Sequence, residues 1–178
     1  IDRILFLSKY CLSNLALAND LGSLSVKGMS LFSLDGKVAL VTGAGRGIGR
    51  GIVEGLAAHG AKVVCAARTR AQLDEAVASI NDSGGEAIAY EMDMKDLDSI
   101  QGGVEATLKA YGQLDILVNN AGMNIREPFT EVTEEHYDEI VAVNQKGLYF
   151  LTQLAAKEMI SRKRGKIIHI GSINTGIS

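Results

Sequence analysis

Tryptophan is missing from this chain altogether, proline occurs once and cysteine twice in 178 residues. Each shortage removes a class of protein. Two cysteines, Cys11 and Cys65, are too few for the disulfide framework of a small secreted domain and too scattered for a zinc site. Both read as buried or neutral thiols in a reducing compartment. No basic excess exists: 18 Lys and Arg stand against 21 Asp and Glu, with a net charge of −3 and a pI near 5.6. Nucleic acid and anionic membrane surfaces are therefore poor partners. No stretch approaches the ~18 consecutive apolar residues of a membrane span. There is no internal repeat or low-complexity tract, and the length is that of one domain with a real core.

The first 28 residues, IDRILFLSKYCLSNLALANDLGSLSVKG, begin without methionine and are rich in Leu and Ser. Lys9 and Asn14 break the apolar pieces, which makes a poor secretory signal, and a transit peptide is the other targeting reading. Met29 directly precedes the first well-patterned segment and is the expected natural start. Residues 1–28 are then a disordered or non-native extension, and 29–178 the folded domain.

What the chain does contain is regular alternation. Short β-branched runs fall at Val38–Thr42, Lys62–Ala67, 87–90, 114–118 and Lys166–Ile170. Between them the apolar spacing is helical: Ile48, Ile52 and Leu56; Leu73, Val77 and Ile80; Leu97, Ile100, Val104, Leu108 and Tyr111. A fourth, long helix is expected over 133–161, with Tyr137, Ile140, Val141, Leu148, Leu151 and Ala155 on its stripe. Strands alternating with helices imply right-handed βαβ units and a parallel sheet covered on both faces. The expected class is thus α/β, a doubly wound parallel sheet of five strands and about four helices.

The stretch VALVTGAGRGIGRG joins the first strand to the first helix, with Gly43, Gly45, Gly47 and Gly49 at the turn. Glycines let the backbone turn tightly and come close to a pyrophosphate, which the free N–H groups and positive end of the following helix then receive. The strand–loop–helix context makes this a dinucleotide site. An NAD-type site wants a carboxylate at the end of the second strand, ~20 residues on. Here that strand ends CAARTR, so Arg68 stands where an acid would, and Arg46 adds a second cation. A guanidinium pairs bidentately with a phosphate, so NADP(H) is the expected cofactor.

TGAGRGIG (42–49) followed by NNAG (119–122) resembles the short-chain dehydrogenase/reductase family, and the similarity runs from Leu34 to the end. The resemblance implies a Rossmann-type fold, of which these residues form the N-terminal part. It implies that Thr42, Gly43, Gly47, Ile48 and Gly49 bind the cofactor, with Arg46 and Arg68 marking an NADP(H)-preferring member. It places Asp93 and Met94 of EMDMKD at the adenine, and Asn120, Ala121 and Gly122 along the cofactor's border. Two catalytic positions carry over: Asn144 in VAVNQKG, supporting a proton relay, and Ser172 after the fifth strand, orienting the substrate oxygen. NNAGMNIREPFTEVTEEHYDEI is similar to sugar-acid dehydrogenases such as gluconate dehydrogenase, and to 3-oxoacyl carrier-protein reductases. The implied activity is hydride transfer between NADP(H) and a carbonyl or secondary alcohol of a small sugar acid, polyol or 3-oxoacyl thioester. A cytoplasmic homodimer or homotetramer comes with it.

The family's acid/base is a tyrosine with a lysine four positions later, because a phenol of pKa about 10 needs a cation to work near neutrality. None of the five tyrosines has it: Asn14, Met94, Asp115, Val141 and Gln153 follow Tyr10, Tyr90, Tyr111, Tyr137 and Tyr149 at that spacing. The three histidines, His59, His136 and His169, form no metal pattern and do not replace it. The pair's usual place falls beyond Ser178, which would also leave the fifth strand as an open edge. A non-catalytic NADP(H)-binding module and a truncated product without function are the rival readings. The 178 residues alone are expected to be poorly soluble and to show no turnover. Purified chain that oxidises NADPH with a carbonyl substrate would overturn this.

Overall fold

The runs Val38–Thr42 and Lys62–Ala67 are built of small and β-branched apolar residues, the composition of strands covered on both faces. In the computed structural model, which describes residues 5–7 and 32–172, every residue of the first run is buried. Six parallel strands are present: β1 (Leu5–Leu7), β2 (Val38–Thr42), β3 (Lys62–Ala67), β4 (Glu86–Glu91), β5 (Ile116–Asn119) and β6 (Lys166–Ile170). The helices are α1 (Gly47–Ala58), α2 (Arg70–Asp82), α3 (Leu97–Tyr111), α4 (Glu134–Val141) and α5 (Leu148–Ser161). No helix among the described residues is long and apolar enough to cross a membrane.

The sheet order is β1-β6-β5-β2-β3-β4. From β2 the chain steps outward through α1 and α2 to β4; α3 then carries it back to lay β5 on the other flank of β2. The direction of winding reverses between β2 and β5, which opens a crevice at the carboxyl ends of those strands. Alternate residues feed two apolar layers. Leu40, Val64 and Leu117 pack with Ile100 and Val104 of α3 and with Leu151, Ala155 and Met159 of α5. Ala39, Val41, Val63 and Cys65 pack on the opposite face with Val53 of α1 and with Leu73 and Ile80 of α2. The Cys65 thiol is free and buried, and burial pushes its pKa up to about 12. Cys11 lies outside the described residues.

Several elements depart from the spacing in the sequence. In α1 the buried line is Gly49, Val53 and Ala57, one residue on from the expected Ile48, Ile52 and Leu56. The helix turns this narrow, small-residue side inward because its first turn lies against the glycine loop. The long helix is interrupted between α4 and α5 by a π turn over Ala142–Gly147. Across it the buried residues step by four, Val143, Gly147, Leu151, Ala155 and Met159. A single 3.6-residue stripe cannot pass through such a turn, so Tyr137, expected inside, is 61% exposed. β1 pairs with β6, Leu5 opposite Ile168 and Leu7 opposite Ile170, so the outer edge of β6, expected to be open, has a partner along these residues. The expected disorder of the rest of residues 1–28 lies outside the described residues.

β5 starts at Ile116 because the preceding residues form a polar corner around Asp115, at the edge opposite the crevice. Its Oδ2 accepts from the Val38 N–H at 3.0 Å and from Gln113 Nε2 at 2.8 Å. Its Oδ1 faces the guanidiniums of Arg162 at 3.2 Å and Arg164 at 3.4 Å. One buried carboxylate thus joins the starts of β2 and β5 to the end of α5. Removing it leaves a buried N–H and a half-buried guanidinium without their partner. Asp115→Ala is expected to cost about 3 kcal/mol, read as a lower urea midpoint at unchanged slope. A shift within error would show that the corner carries no load.

Candidate functional site

The loop between β2 and α1 forms the floor of the crevice. Gly43 has φ +67°, a left-handed conformation that costs a side-chain-bearing residue ~1–2 kcal/mol. It is also hemmed in: a Cβ there would lie 2.8 Å from Asn120 Nδ2 and 3.1 Å from Ala121 Cα. Gly49, in the first turn of α1, is packed so closely that a Cβ would collide with the Gly43 carbonyl and with Asn120 Nδ2. Arg46 is the N-cap of α1 and makes no side-chain cap bond, and the first turn holds no acid. The first N–H groups of α1 and its positive end therefore face the crevice without a competing anion.

The loop after β5 closes the crevice from the other side, and Thr42 joins the two. Its Oγ1 accepts from the N–H groups of Asn120 (3.1 Å) and Ala121 (3.0 Å) and donates to the Val118 carbonyl (3.4 Å). Asn120 answers with its amide, Nδ2 donating to the carbonyls of Thr42 (3.0 Å) and Gly43 (3.3 Å). Asn119 braces the sheet behind, Nδ2 donating to Thr152 Oγ1 at 3.0 Å and to His169 Nδ1 at 3.2 Å. Burial lowers the pKa of His169 and so favours the neutral ring, whose Nδ1 accepts from this amide in the tautomer protonated at Nε2.

The resulting cavity is about 600 Å³, within the usual range for a small-molecule or cofactor site. All the residues singled out for the cofactor line it: Thr42, Gly43, Arg46, Gly47, Ile48, Gly49, Arg68, Asp93, Met94, Asn120, Ala121 and Gly122. Arg68 and Arg46 are exposed at one end, and neither enters an ion pair among the described residues. Asp93 is held in a turn, its Oδ1 accepting from the Lys95 N–H at 2.9 Å and its own N–H donating to Ser99 Oγ at 3.1 Å. The π turn props this segment, since Gly147 has no side chain and lies directly against the Met94 carbonyl. Sequence reasoning missed Thr69, Gln72 and Val143, which also line the cavity. A T-x-x-Q start to α2 was the available signal for the first two.

Asn144 and Ser172 do not line the cavity. Asn144 sits in the π turn, and both ends of its amide are engaged by one residue: Oδ1 accepts from the Met123 N–H at 2.9 Å and Nδ2 donates to the Met123 carbonyl at 2.8 Å. Ser172 follows β6 at the same end of the sheet. Farther along the loop after β5, Glu127 Oε2 lies 2.9 Å from His136 Nδ1 on α4. This hydrogen bond raises the His136 pKa, and so fastens the loop most firmly when the imidazole is charged. Among the described residues no cluster of His, Cys, Asp and Glu could hold a metal ion.

A dinucleotide fits this cavity. The floor is bare backbone where a pyrophosphate must approach closely, a helix start offers N–H donors, and cations stand at one end. Gly49→Ala tests the cradle, because the added methyl meets the Gly43 carbonyl and the Asn120 amide that is bonded to it. Overpacking of this kind costs about 1–3 kcal/mol. Dinucleotide binding, followed by titration, is expected to be lost while Gly51→Ala, in open space on the same helix, retains it. Equal binding by both variants would show that the loop is not the phosphate cradle.

The family description "short chain dehydrogenase" matches residues 37–178. Gluconate 5-dehydrogenase of Gluconobacter oxydans is 40% identical over 148 residues, covering 83% of this chain and 58% of that protein. The 3-oxoacyl-[acyl-carrier-protein] reductase of Thermotoga maritima is 34% identical over 140 residues, 79% of this chain and 57% of the other. Among solved structures, a metagenomic short-chain oxidoreductase in complex with NADP superposes with a TM-score of 0.76 at 40% identity, covering 79% of this chain and 64% of that one. The chain thus spans less than two thirds of the length of each. With the glycine loop, the Asn-Asn-Ala-Gly loop and the doubly wound sheet in place, the chain belongs to the short-chain dehydrogenase/reductase family.

Proposed function

We propose that this chain is the cofactor-binding part of an NADP(H)-dependent oxidoreductase acting on a carbonyl or secondary alcohol of a small substrate. The observation that carries the reading is the end of the cavity where Arg46 and Arg68 stand without an acid at the end of β3. A 2′-phosphate there would find guanidinium donors, and the N-terminus of α2 beside them carries no acid in its first turn. The names of the relatives support a sugar acid or a 3-oxoacyl thioester as substrate, with a polyol as a further member of that class. A cytoplasmic homodimer or homotetramer is part of the same reading.

NADPH, when bound, supplies the hydride that a carbonyl carbon takes up. The part of this chain is to bind and orient. Thr42 and Asn120 hold the cradle, Asp93 and Met94 border the adenine, and Ala121 and Gly122 form the wall toward the reacting end. Ser172 is assigned to hydrogen-bond the substrate oxygen. Asn144 is assigned to support the proton relay, while one N–H and the oxygen of its amide hold Met123 and fix the loop that follows the Asn-Asn-Ala-Gly run. Protonation of the substrate oxygen falls to a Tyr-x-x-x-Lys pair that these 178 residues do not contain.

The test is a titration of the purified chain with NADPH and with NADH. NADPH is expected to bind at least about tenfold more tightly, and Arg68→Ala to remove most of that preference while leaving NADH nearly unchanged. Tighter binding of NADH would refute the assignment.

A further inference from the structure

The first turn of α2 is the least explained part of the cavity wall. Its start, Thr69-Arg70-Ala71-Gln72, has the sequence of a capping box, in which the threonine hydroxyl accepts from the fourth residue's N–H and the glutamine reaches back to the threonine N–H. Neither bond is made. Thr69 has no side-chain cap bond, and Gln72 makes no side-chain hydrogen bond among the described residues. Elsewhere this chain does cap its helices: Asp96 accepts from the Asp98 N–H at the start of α3, and Thr133 from the His136 N–H at the start of α4. At α2 both side chains line the cavity instead.

Gln72 leans across the cavity wall toward the glycine loop. A Cβ on Gly45 would lie 2.9 Å from Gln72 Cβ and 3.1 Å from its Oε1. The amide is therefore seated against bare backbone, half-buried, on the wall it shares with Arg68 and Thr69. Arg70 is turned to another task, its Nε bonded to Asp74 at 2.8 Å. A capping box accepts Glu as readily as Gln at this position. Only the amide leaves this end of the cavity with a donor and without a carboxylate.

We propose that Gln72 is a cofactor-selecting residue, its amide N–H group donating to the phosphate on the adenosine 2′ oxygen beside Arg68. This rests on the NADP(H) reading above and adds a residue to it. The uncharged amide complements the guanidinium: Arg68 supplies charge, and Gln72 supplies a donor fixed in direction by its packing on Gly45.

Adenosine 2′,5′-bisphosphate and AMP, which differ only in the 2′-phosphate, are the probes, titrated by calorimetry into the wild-type chain and into Gln72→Glu, Gln72→Met and Arg68→Ala. Gln72→Met keeps the bulk against Gly45 and removes the donor, so it decides the matter even where Gln72→Glu fails to fold. Gln72→Glu is expected to weaken the bisphosphate by about tenfold or more and Gln72→Met by about three- to tenfold, both leaving AMP within about twofold. Parallel losses for both probes would reduce Gln72 to a packing residue and overturn the proposal. Discrimination that disappears in Arg68→Ala and survives both Gln72 variants would overturn it while leaving the NADP(H) reading intact. A wild-type chain that does not distinguish the two probes would remove that reading and this inference together.

Discussion

A threonine hydroxyl can donate once and accept twice, and that of Thr42 does all three. Its partners lie in the strand and loop on the other side of the crevice, so one saturated side chain fixes the distance between the two walls. Asn120 repeats the link in the opposite direction with both amide hydrogens. The chain of fixed contacts then runs on through the loop to Met123, which Asn144 grips by its N–H and carbonyl. The glycine loop, the loop after β5 and the π turn are therefore parts of one hydrogen-bonded frame. Thr42 Oγ1 is saturated and both amide hydrogens of Asn120 are used, which is why small substitutions at these two residues are costly.

The electrostatics of the crevice come from what is withheld as much as from what is present. α3 and α4 begin with acids in their first turns, as helix starts commonly do. α1 and α2, whose starts face the cavity, have none. Their partial positive charge is left for a ligand, and Arg46 and Arg68 add to it. An overall acidic protein thus presents one locally cationic end, set by a few residues rather than by net charge.

Much of this was legible in the sequence because it rests on local rules. β2, β3 and β6 lie where the β-branched runs end and begin, and the glycine loop announces its function by sitting between a buried strand and a helix. What could not be read depends on tertiary contact. The inward side of α1 is chosen by Gly49 meeting Gly43, which no periodicity records. The π turn at Ala142–Gly147 changes the helical repeat only after the packing of Gly147 on Met94 demands it. Asp115 falls inside the run expected as a strand, and its place in a buried polar corner depends on arginines dozens of residues away. Gln72 was hidden by a motif that reads as simple capping until the structure shows the cap unmade.

The burial of Cys65 has a chemical meaning beyond packing. Its thiol lies in the middle of the sheet, with strands on both sides and apolar helices against the faces, and it stays protonated far above neutral pH. Peroxides and disulfides react with thiolates that they can reach, and this sulfur is neither ionised nor accessible. The strand that leads to Arg68 therefore carries a cysteine without presenting a reactive thiol to the crevice.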